Sequence, residues 1–308
     1  MNLVRLRRTR FRCSGCLIAR VRALLVLVAV TAVWGVTFVQ VKDAVALYPL
    51  FAFLAVRFAI ASVTLAPAGA RRVRALGGGG LVGGALAGLL IGAGYALQTA
   101  GLERTSVSST GFITGMYVVL TPLFALALFR VRVGGAAWAG VALATVGLAL
   151  LSGIHGGSPA GDLLVLLAAA VYALQILLVD RFAPRYDAFA FTLVEMSTAC
   201  VGLLAAAVAL GQLRMPHGWT VWGALVVTGV FASAAAFLAQ TWAQKRATAT
   251  QTALAFSLEP VWTAFFGYTL AGDRLGATGW IGCAVILAGI VVAEPAAAGA
   301  LARLVRLS

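Results

Sequence analysis

Long apolar stretches run along nearly the whole chain, and short segments that hold most of the charged residues separate them. A helix that spans a bilayer needs about 20 mainly apolar residues. Division of the chain at its charges and its Gly and Pro clusters predicts ten such helices. They cover residues 23–41, 50–68, 81–101, 106–128, 133–152, 162–180, 188–210, 219–241, 247–271 and 275–293. The remaining loops are short, so the pattern leaves no room for a catalytic domain outside the membrane.

The composition agrees with an all-α integral membrane protein. Of the 308 residues, 62% are hydrophobic and 10% are charged, and the mean hydropathy is +1.01. Nine acidic residues are too few to favour a carboxylate cage for Ca²⁺ or Mg²⁺. His155 and His217 fall in predicted loops, and the chain lacks the HExxH, G-x-S-x-G and glycine-rich phosphate-loop motifs. We therefore predict a protein that is not an enzyme and that needs no metal and no cofactor.

The net charge of +14 comes from Lys and Arg residues that mostly lie between the apolar stretches. A nucleic-acid-binding surface interleaves basic residues with base-stacking side chains, so we predict no nucleic-acid partner. Seven Arg residues lie in a basic arm over residues 1–22, which we expect to contact anionic lipid. With a cytoplasmic N-terminus, eighteen Lys and Arg residues fall on the cytoplasmic side and four on the other. This bias predicts a multi-pass protein of the plasma or inner membrane with both termini in the cytoplasm.

Two features of the N-terminal region have alternative interpretations. A cleaved signal peptide over the first 33 residues is the alternative to a first transmembrane helix, but its removal would invert the charge bias. Cys13 and Cys16 form a CSGC motif. Since the chain offers no second ligand pair, we interpret them as a reduced pair without function, and a metal or redox site is the alternative.

The second half of the chain repeats the first. Residues 98–147 match residues 240–289 without a gap at 14 of 50 positions, whereas random pairing in so biased a composition gives about five. The matched pairs include Gln98/Gln240, Arg104/Arg246, Arg132/Arg274, Trp138/Trp280, Gly140/Gly282 and Gly147/Gly289. A second alignment, of residues 51–57 with 189–195, pairs Trp34 with Tyr172 and Thr37 with Gln175. The repeats therefore occupy residues 23–153 and 161–294, and a cytoplasmic tail follows at 295–308.

Each repeat holds five predicted helices. An odd number of spans ends on the opposite side of the membrane from where it began, so the two repeats have inverted topology. Inverted repeats are typical of secondary transporters, in which two similar halves open one central site to either side. The sequence thus predicts ten transmembrane helices as two inverted five-helix repeats that act as a carrier.

Several stretches resemble the drug/metabolite transporter superfamily, in particular proteins with two EamA-type repeats. They are WGVTFVQVK (34–42), GFITGMYVVLTP (111–122), LEPVWTAFFGYTLAGDRL (258–275) and the segments 138–147 and 280–289, which share the spacing Trp-x-Gly-x₆-Gly. The resemblance implies ten helices, cytoplasmic termini and export of small metabolites. Val131 and Asp273 depart from the Glu that this family usually has before Arg-Leu.

We interpret the chain first as an exporter of a small organic metabolite, amino acid or drug-like solute by alternating access. A sugar-phosphate or nucleotide-sugar type of exchanger is the second interpretation within transport. It is less favoured, because such exchangers need several cations for phosphate and Arg57 is the only cation predicted within a span. A non-transporting structural or sensor protein is the alternative outside transport. The sequence does not identify the solute, and it is compatible with a monomer or a homodimer.

Polar and aromatic side chains near the predicted membrane midplane are the candidates for solute binding. Four of them, Trp34, Tyr117, Tyr172 and Glu259, come in equal numbers from the two repeats. Thr37 and Gln175 follow one turn after Trp34 and Tyr172 on the same helix faces. Gln98 and Gln240 are predicted to cap the cavity, with Tyr95 one turn before Gln98. Ordinary packing is the alternative for the aromatic residues, and solvation at the membrane interface is the alternative for the two glutamines.

The charged residues and prolines within the spans are candidates for gating or coupling. Glu259 is the sharpest candidate for solute binding, because a carboxylate in hydrocarbon is costly unless it faces water or a partner; a packing role in protonated form is the alternative. Arg57 and Glu195 occupy equivalent positions in the two repeats, about 10 Å apart in depth. They act in gating or coupling, or else they extend to the interfaces or pair locally. Pro122 and Pro260 predict bends at mid-membrane in two equivalent helices.

Overall fold

The computed structural model describes residues 14–105, 107–152, 158–270 and 276–293, and every regular element in these ranges is a helix. The first repeat contains α1 (Ser14–Leu47), α2 (Leu50–Val73), α3 (Gly77–Leu102), α4 (Val107–Gly115), α5 (Tyr117–Phe129) and α6 (Gly135–Ser152). The second contains α7 (Pro159–Phe182), α8 (Ala188–Ala209), α9 (Trp219–Val227), α10 (Ala236–Gln244), α11 (Ala249–Phe256), α12 (Glu259–Leu270) and α13 (Ala277–Ala293). A π-helix, Thr228–Ala235, continues α9 into α10.

Within the described residues, six stretches are long and apolar enough to cross a membrane. They are Ile18–Thr37, Leu50–Leu102, Thr110–Phe129, Pro159–Arg185, Ala188–Ala209 and Trp219–Gln244. The second stretch contains both α2 and α3, because the chain turns between them at Gly77, where φ is 62°. Shorter apolar helices cover Gly135–Leu150 and Ala277–Ala293. The protein is therefore a multi-pass membrane protein, and the total of ten spans stays a prediction.

Polar and apolar side chains are distributed as lipid surroundings require. Large apolar side chains cover the outside, and Leu25, Val63, Leu89 and Val201 are among those more than half exposed. Charged and amide side chains lie in the interior, among them Arg57, Gln175, Glu195 and Gln240. The interior of the helix bundle thus contains ionisable and amide groups, and several of them line the site described below.

Helix α1 is longer than the apolar stretch 23–41 that predicted it. It includes Arg20 and Lys42, which the sequence pattern treats as flanking charges. Long basic side chains can extend to the headgroups from within a helix, so a charge marks the edge of the hydrocarbon and not the end of the helix. Residues 14–22 of the basic arm are therefore helical. Residues 1–13 and the tail at 295–308 lie outside the described part.

Helices α2 and α8, which are equivalent in the two repeats, pack closely and run antiparallel. A Cβ atom on Gly69, near the end of α2, would lie 3.0 Å from the carbonyl oxygen of Phe189, near the start of α8. At the other end of the contact, the Cys200 thiol donates to the Ala55 carbonyl oxygen at 3.5 Å. Equivalent helices that run in opposite directions agree with inverted repeats.

Helix α3 packs against the same helix α8 through its glycines. A Cβ atom on Gly84 would lie 2.9 Å from the Val194 side chain, and one on Gly88 would collide with the carbonyl oxygen of Glu195. Gly92 continues the row and lies against Ala199. Small residues at this spacing let the helix backbones approach closely in lipid. This contact between the repeats fixes the depth of Glu195 beside the central site.

Candidate solute-binding site

Two adjoining cavities lie between the repeats, and each comprises about 400 Å³ of space without protein atoms, part of it open to the outside. We call the one that extends to Gln175 and Gln240 the glutamine-side cavity. The other extends to Thr37 and Arg57, and we call it the arginine-side cavity. Since four side chains line both cavities, the two form one central space; they are Trp34, Tyr95, Gln98 and Glu259.

All nine residues predicted to bind solute line this central space. Besides the four shared side chains, Tyr117, Tyr172, Gln175 and Gln240 line the glutamine-side cavity, and Thr37 lines the arginine-side cavity. The folding of the two repeats against each other brings these side chains together from distant parts of the sequence. The geometry is that of a binding site, and the binding role of each residue stays a prediction.

Two equivalent pairs of aromatic rings form part of the wall. The ring centres of Trp34 and Phe237 are 5.7 Å apart, as are those of Tyr172 and Tyr95. Trp34 is equivalent to Tyr172, and Phe237 is equivalent to Tyr95, since each lies three residues before an aligned glutamine. The sequence prediction missed Phe237, because its side chain has no polar group. Its equivalence to Tyr95 is the signal in the sequence that identifies it.

Thr114 and Phe256 are a second equivalent pair that the sequence prediction missed. Thr114 accepts a hydrogen bond from Gln98 Nε2 at 3.0 Å, and the Phe256 ring centre is 4.8 Å from that of Trp34. Both residues line the glutamine-side cavity. They lie one turn before Tyr117 and Glu259, and this helical spacing is the signal that places them on the same face.

Tyr117 and Glu259 occupy equivalent positions and meet in the glutamine-side cavity. The buried Tyr117 hydroxyl lies beside the Glu259 carboxyl group. Within the described residues, the Tyr117 hydroxyl has no hydrogen-bond partner of standard geometry. Glu259 is 9% exposed and lines both cavities, so its carboxyl group faces the central space and not the lipid. Both groups are therefore available to a polar solute.

Arg57 lines the arginine-side cavity and is 2% exposed. Its Nε donates to Ser233 Oγ at 2.8 Å, and its Nη2 donates to the Tyr95 hydroxyl at 3.1 Å. The guanidinium carbon lies 4.4 Å from the centre of the Tyr95 ring. Arg57 therefore pairs locally, and the alternative that it extends to the membrane interface is wrong.

The π-helix of the second repeat supplies hydrogen-bond partners for two side chains of the first. Ser233 accepts from Arg57, and the Ala232 carbonyl oxygen accepts from Trp34 Nε1 at 2.8 Å. A π-helix forms i→i+5 hydrogen bonds, and such segments occur often at functional sites. The sequence prediction missed Ser233, because a π-helix has no characteristic residue pattern. The only feature of the sequence that indicates Ser233 is its polar side chain, which lies two helical turns before Gln240.

A buried glutamine network lies at one end of the glutamine-side cavity. Gln175 Nε2 donates to Glu195 Oε1 at 2.7 Å, and Gln240 Nε2 donates to Gln175 Oε1 at 3.0 Å and to Gln244 Oε1 at 2.9 Å. We call these four residues the glutamine network. Within the described residues, Glu195 Oε2 and Gln240 Oε1 have no hydrogen-bond partner. Gln175, Gln240 and Glu195 are buried, so other protein groups surround their side chains.

The equivalent positions of the first repeat are arranged differently. Arg57, Thr37, Gln98 and Leu102 are the equivalents of Glu195, Gln175, Gln240 and Gln244, and all four line the arginine-side cavity. The Thr37 hydroxyl bonds within its own helix, to the Trp34 carbonyl oxygen. Gln98 bonds to Thr114 and Tyr172. The residues at these positions thus bond to one another in the second repeat, whereas in the first repeat they bond to other groups.

Polar contacts also join the helix ends beyond the glutamine network. Arg72 at the end of α2 and Asp187 before α8 form an ion pair of 3.2 Å, and Lys245 Nζ donates to the Tyr186 carbonyl oxygen at 2.7 Å. Burial lowers the pKa of Lys245. Because Arg72 and Asp187 are 53% and 41% exposed, their ion pair adds little stability by itself. It does hold α2 and α8 together on this side.

Helix breaks occur at equivalent positions in the two repeats, but Pro122 is not at its break. One break separates α4 from α5 at Met116, and the other separates α11 from α12 at Ser257 and Leu258, just before Pro260. Pro122 lies inside α5. Gly115 favours the first break through its weak helix propensity. Ser257 favours the second, because its hydroxyl bonds to the Leu254 carbonyl oxygen at 2.7 Å.

Arg57 and Glu195 form no ion pair with each other in the described residues, since each has other partners. Their part in gating or coupling stays a prediction. Cys13, the side chain of Cys16 and Asp273 lie outside the described residues. The proposed inert role of the CSGC motif therefore also stays a prediction.

Comparison with known proteins identifies the family. The model of the EamA-like transporter family matches residues 21–153 and again residues 159–293. The chain belongs to the EamA-like transporter family. The two matches coincide with the two repeats, so each repeat of this EamA-like protein is one family unit.

Similar proteins support the same assignment. A protein of Archaeoglobus fulgidus described as an uncharacterized transporter is 30% identical over 275 residues, which cover 89% of this chain and 86% of that protein. Solute carrier family 35 member F6 of Mus musculus is 29% identical over 105 residues, 30% of this chain and 28% of its own length. A crystal structure of another protein superposes with a TM-score of 0.73 at 21% identity, over 90% of this EamA-like chain and 97% of that one. At this identity the last comparison shows a common fold alone.

Proposed function

We propose that this EamA-like protein is a secondary transporter that exports a small organic solute through the central space by alternating access. The observation that carries the proposal is the unequal state of equivalent positions. The members of the glutamine network are hydrogen-bonded to one another, whereas the equivalent residues of the first repeat bond to other groups and line the arginine-side cavity. If two inverted repeats exchange their conformations, the opening moves from one side of the membrane to the other.

We place the protein in the plasma or inner membrane, with ten spans and with both termini in the cytoplasm. The excess of Lys and Arg on one side supports it. In this orientation the glutamine network lies toward the cytoplasm and the arginine-side cavity toward the outside.

The side chains around the central space favour a solute with both apolar and polar parts. Aromatic rings supply apolar contact, while amides, hydroxyls and two ionisable groups supply polar contact. A metabolite, an amino acid or a drug-like molecule fits this description. Among the described lining residues Arg57 is the one cation, which does not favour a phosphate-bearing solute. Family membership and the relative described as a transporter support transport over a purely structural role.

Solute exchange in reconstituted vesicles tests the proposal. Purified protein is placed in vesicles preloaded with pools of amino acids, amines or drug-like cations, and uptake of the labelled solute is followed. We expect uptake above that of protein-free vesicles for at least one pool. Equal uptake with and without protein for all pools would contradict a transport function. Repetition with an imposed pH gradient separates proton-coupled transport from facilitated diffusion.

A further inference from the structure

Two glycines, one in each repeat, make the same contact with the opposite repeat. A Cβ atom on Gly88 of α3 would collide with the carbonyl oxygen of Glu195. A Cβ atom on Gly229 in the π-helix would lie 3.0 Å from the carbonyl oxygen of Arg57, which is equivalent to Glu195 in the repeat alignment. The side chains next in contact are also an equivalent pair, Thr198 and Ile60. Gly88 and Gly229 therefore occupy equivalent places in the fold.

Two aromatic residues mark a second equivalent place further along the same helices. The Tyr95 ring centre lies 5.7 Å from that of Tyr172. The Phe237 ring centre lies 5.7 Å from that of Trp34, which is equivalent to Tyr172. Tyr95 and Phe237 therefore correspond in the structure as they do in the alignment.

The interval between these two places is one residue longer in the second repeat. Six residues separate Gly88 from Tyr95 in α3, which is α-helical throughout. Seven residues separate Gly229 from Phe237, and the π-helix Thr228–Ala235 covers most of them. A π-helical turn is closed by i→i+5 hydrogen bonds, so it holds one residue more than an α-helical turn. The additional residue is therefore located in the π-helix.

The π-helix preserves the orientation of the helix that follows it. In an α-helix, one additional residue turns every later side chain by about 100° about the axis. Such a turn would move Phe237 and Gln240 away from the glutamine-side cavity, which both of them line. Their observed positions indicate that the π-helix absorbs the additional residue locally.

The π-helix also presents two acceptors to the first repeat. The Ala232 carbonyl oxygen accepts from Trp34 Nε1, and Ser233 Oγ accepts from Arg57 Nε, each at 2.8 Å. In α3, residues 89–94 are Leu, Ile, Gly and Ala, so that helix offers no hydroxyl at the equivalent place. The two bonds therefore have no counterpart in the other half of the protein.

We infer that the π-helix absorbs a one-residue insertion in the second repeat and thereby positions Arg57 and Trp34 of the first. Ser233 is a positioning residue, because it acts by holding the guanidinium group of Arg57 at the arginine-side cavity. The insertion is present in one repeat only, so it makes the two halves of the central space unequal. Its consequence for transport rests on the proposed function, whereas the insertion itself does not.

Deletion of Ala235 tests the insertion, and deletion of Ala93 is the matched control. The two alanines are equivalent and both are exposed, so neither deletion removes a buried side chain. Without Ala235 we expect a continuous α-helix in a folded protein, whose melting temperature falls by about 10 °C at most through loss of the two hydrogen bonds. Without Ala93 the later side chains of α3 turn by about 100°, so we expect a larger fall or aggregation in detergent. Equal effects of the two deletions overturn the insertion.

Cysteine cross-links report the orientation of each helix beyond its deletion. Two hydrogen-bonded pairs, each at 3.0 Å, serve as reporters in a chain without native cysteines: Gln175→Cys with Gln240→Cys, and Thr114→Cys with Gln98→Cys. We expect the first pair to cross-link after deletion of Ala235, and the second pair to lose its cross-link after deletion of Ala93. Loss of the first cross-link in folded protein overturns the inference, and so does persistence of the second. If deletion of Ala93 yields no folded protein, the first pair decides.

Variants of Ser233 test the positioning of Arg57. Ser233→Ala leaves Arg57 Nε without its partner, whereas Ser233→Thr keeps the hydroxyl. In vesicles loaded with the pools of amino acids, amines and drug-like cations, we expect Ser233→Ala to raise KM about tenfold with little change in kcat. We expect Ser233→Thr to restore most of the original KM. Equal KM values in Ser233→Ala and the unaltered protein overturn the positioning role.

These experiments separate the insertion from the transport function. Melting temperatures and cross-links need no solute, so they decide the insertion even if the unaltered protein exchanges none of the pools. Exchange by the unaltered protein together with equal effects of the two deletions supports transport and contradicts the insertion. A tolerated deletion of Ala235 beside a disruptive deletion of Ala93 supports the insertion.

Discussion

Gly140 of α6 and Gly289 of α13 lie with their backbones in direct contact. A Cβ atom on Gly140 would be 2.5 Å from the Gly289 carbonyl oxygen, and one on Gly289 would be 2.7 Å from the Gly140 carbonyl oxygen. Two turns further, a Cβ atom on Gly147 would be 2.7 Å from the Gly282 carbonyl oxygen. In the repeat alignment Gly140 is equivalent to Gly282, and Gly147 is equivalent to Gly289. Gly140 therefore packs against the equivalent of Gly147, and Gly147 packs against the equivalent of Gly140. This reciprocal pattern is that of a contact around a two-fold axis.

We predict that Gly140→Val and Gly289→Val each destabilise the protein. A side chain at either position meets backbone atoms that cannot move aside, and overpacking of this kind costs about 1–3 kcal/mol. Gly223→Val is the matched control, because nothing lies within 4 Å of a Cβ atom at that helical position. The measurement is the melting temperature of the protein in detergent, followed by size-exclusion chromatography. A melting temperature as high in Gly140→Val as in Gly223→Val would contradict the tight crossing.

We predict that a short thiol cross-link between Gln175→Cys and Gln240→Cys forms readily and stops transport. The two side chains are joined by a hydrogen bond of 3.0 Å in the glutamine network, which must open when the site faces the other side. The native cysteines are first replaced by serine. The measurement is solute exchange before and after cross-linking, with reduction to restore it.

We predict that the equivalent pair, Thr37→Cys and Gln98→Cys, cross-links at a rate that depends on solute. In the described conformation both residues line the arginine-side cavity and do not bond to each other. If the repeats exchange conformations, a solute that favours the opposite state brings the pair together. Identical cross-linking rates with and without a transported solute would contradict an exchange of conformations.

We predict that Trp34→Ala and Glu259→Gln lower transport while the protein still inserts and folds. Trp34 lines both cavities, so its removal takes an aromatic surface away from the solute; one aromatic contact contributes about 0.5–1.5 kcal/mol, and we expect a loss of about tenfold in kcat/KM. Trp219→Ala is the control, because that side chain is 92% exposed. The measurement is initial exchange rate per folded protein. Full activity in both variants would remove these residues from the site.

We predict that Glu195→Gln removes any dependence of transport on an imposed pH gradient. Glu195 is the titratable member of the glutamine network, and an amide of the same shape keeps its hydrogen-bonding position without a proton to exchange. Solute accumulation is measured in vesicles with and without the gradient. If accumulation driven by the gradient persists unchanged in Glu195→Gln, Glu195 does not couple protons to transport.

Much of the site follows from the repeat alignment, because equivalent residues of two inverted bundles lie at equal distances from the membrane midplane, and those near the midplane meet in one space. Trp34 and Tyr172 illustrate this, since their equivalence and spacing predict that they face one space, and they line the same cavity. Phe237 follows by the same reasoning from Tyr95. Ser233 does not follow, because its position depends on a π-helix that residue patterns do not reveal.

The sequence by itself determined that the chain is a membrane protein of two related helical units. Apolar length and internal repetition are properties of the linear chain, and lipid leaves helices as the way to satisfy the backbone of such stretches. Only the tertiary structure decided that Arg57 bonds to Ser233, 176 positions away, and that the residues of the glutamine network bond to one another while their equivalents do not. Such contacts depend on how the helices of different repeats pack against each other. Two repeats with related sequences can pack differently, because their aligned positions hold different side chains and meet different neighbours.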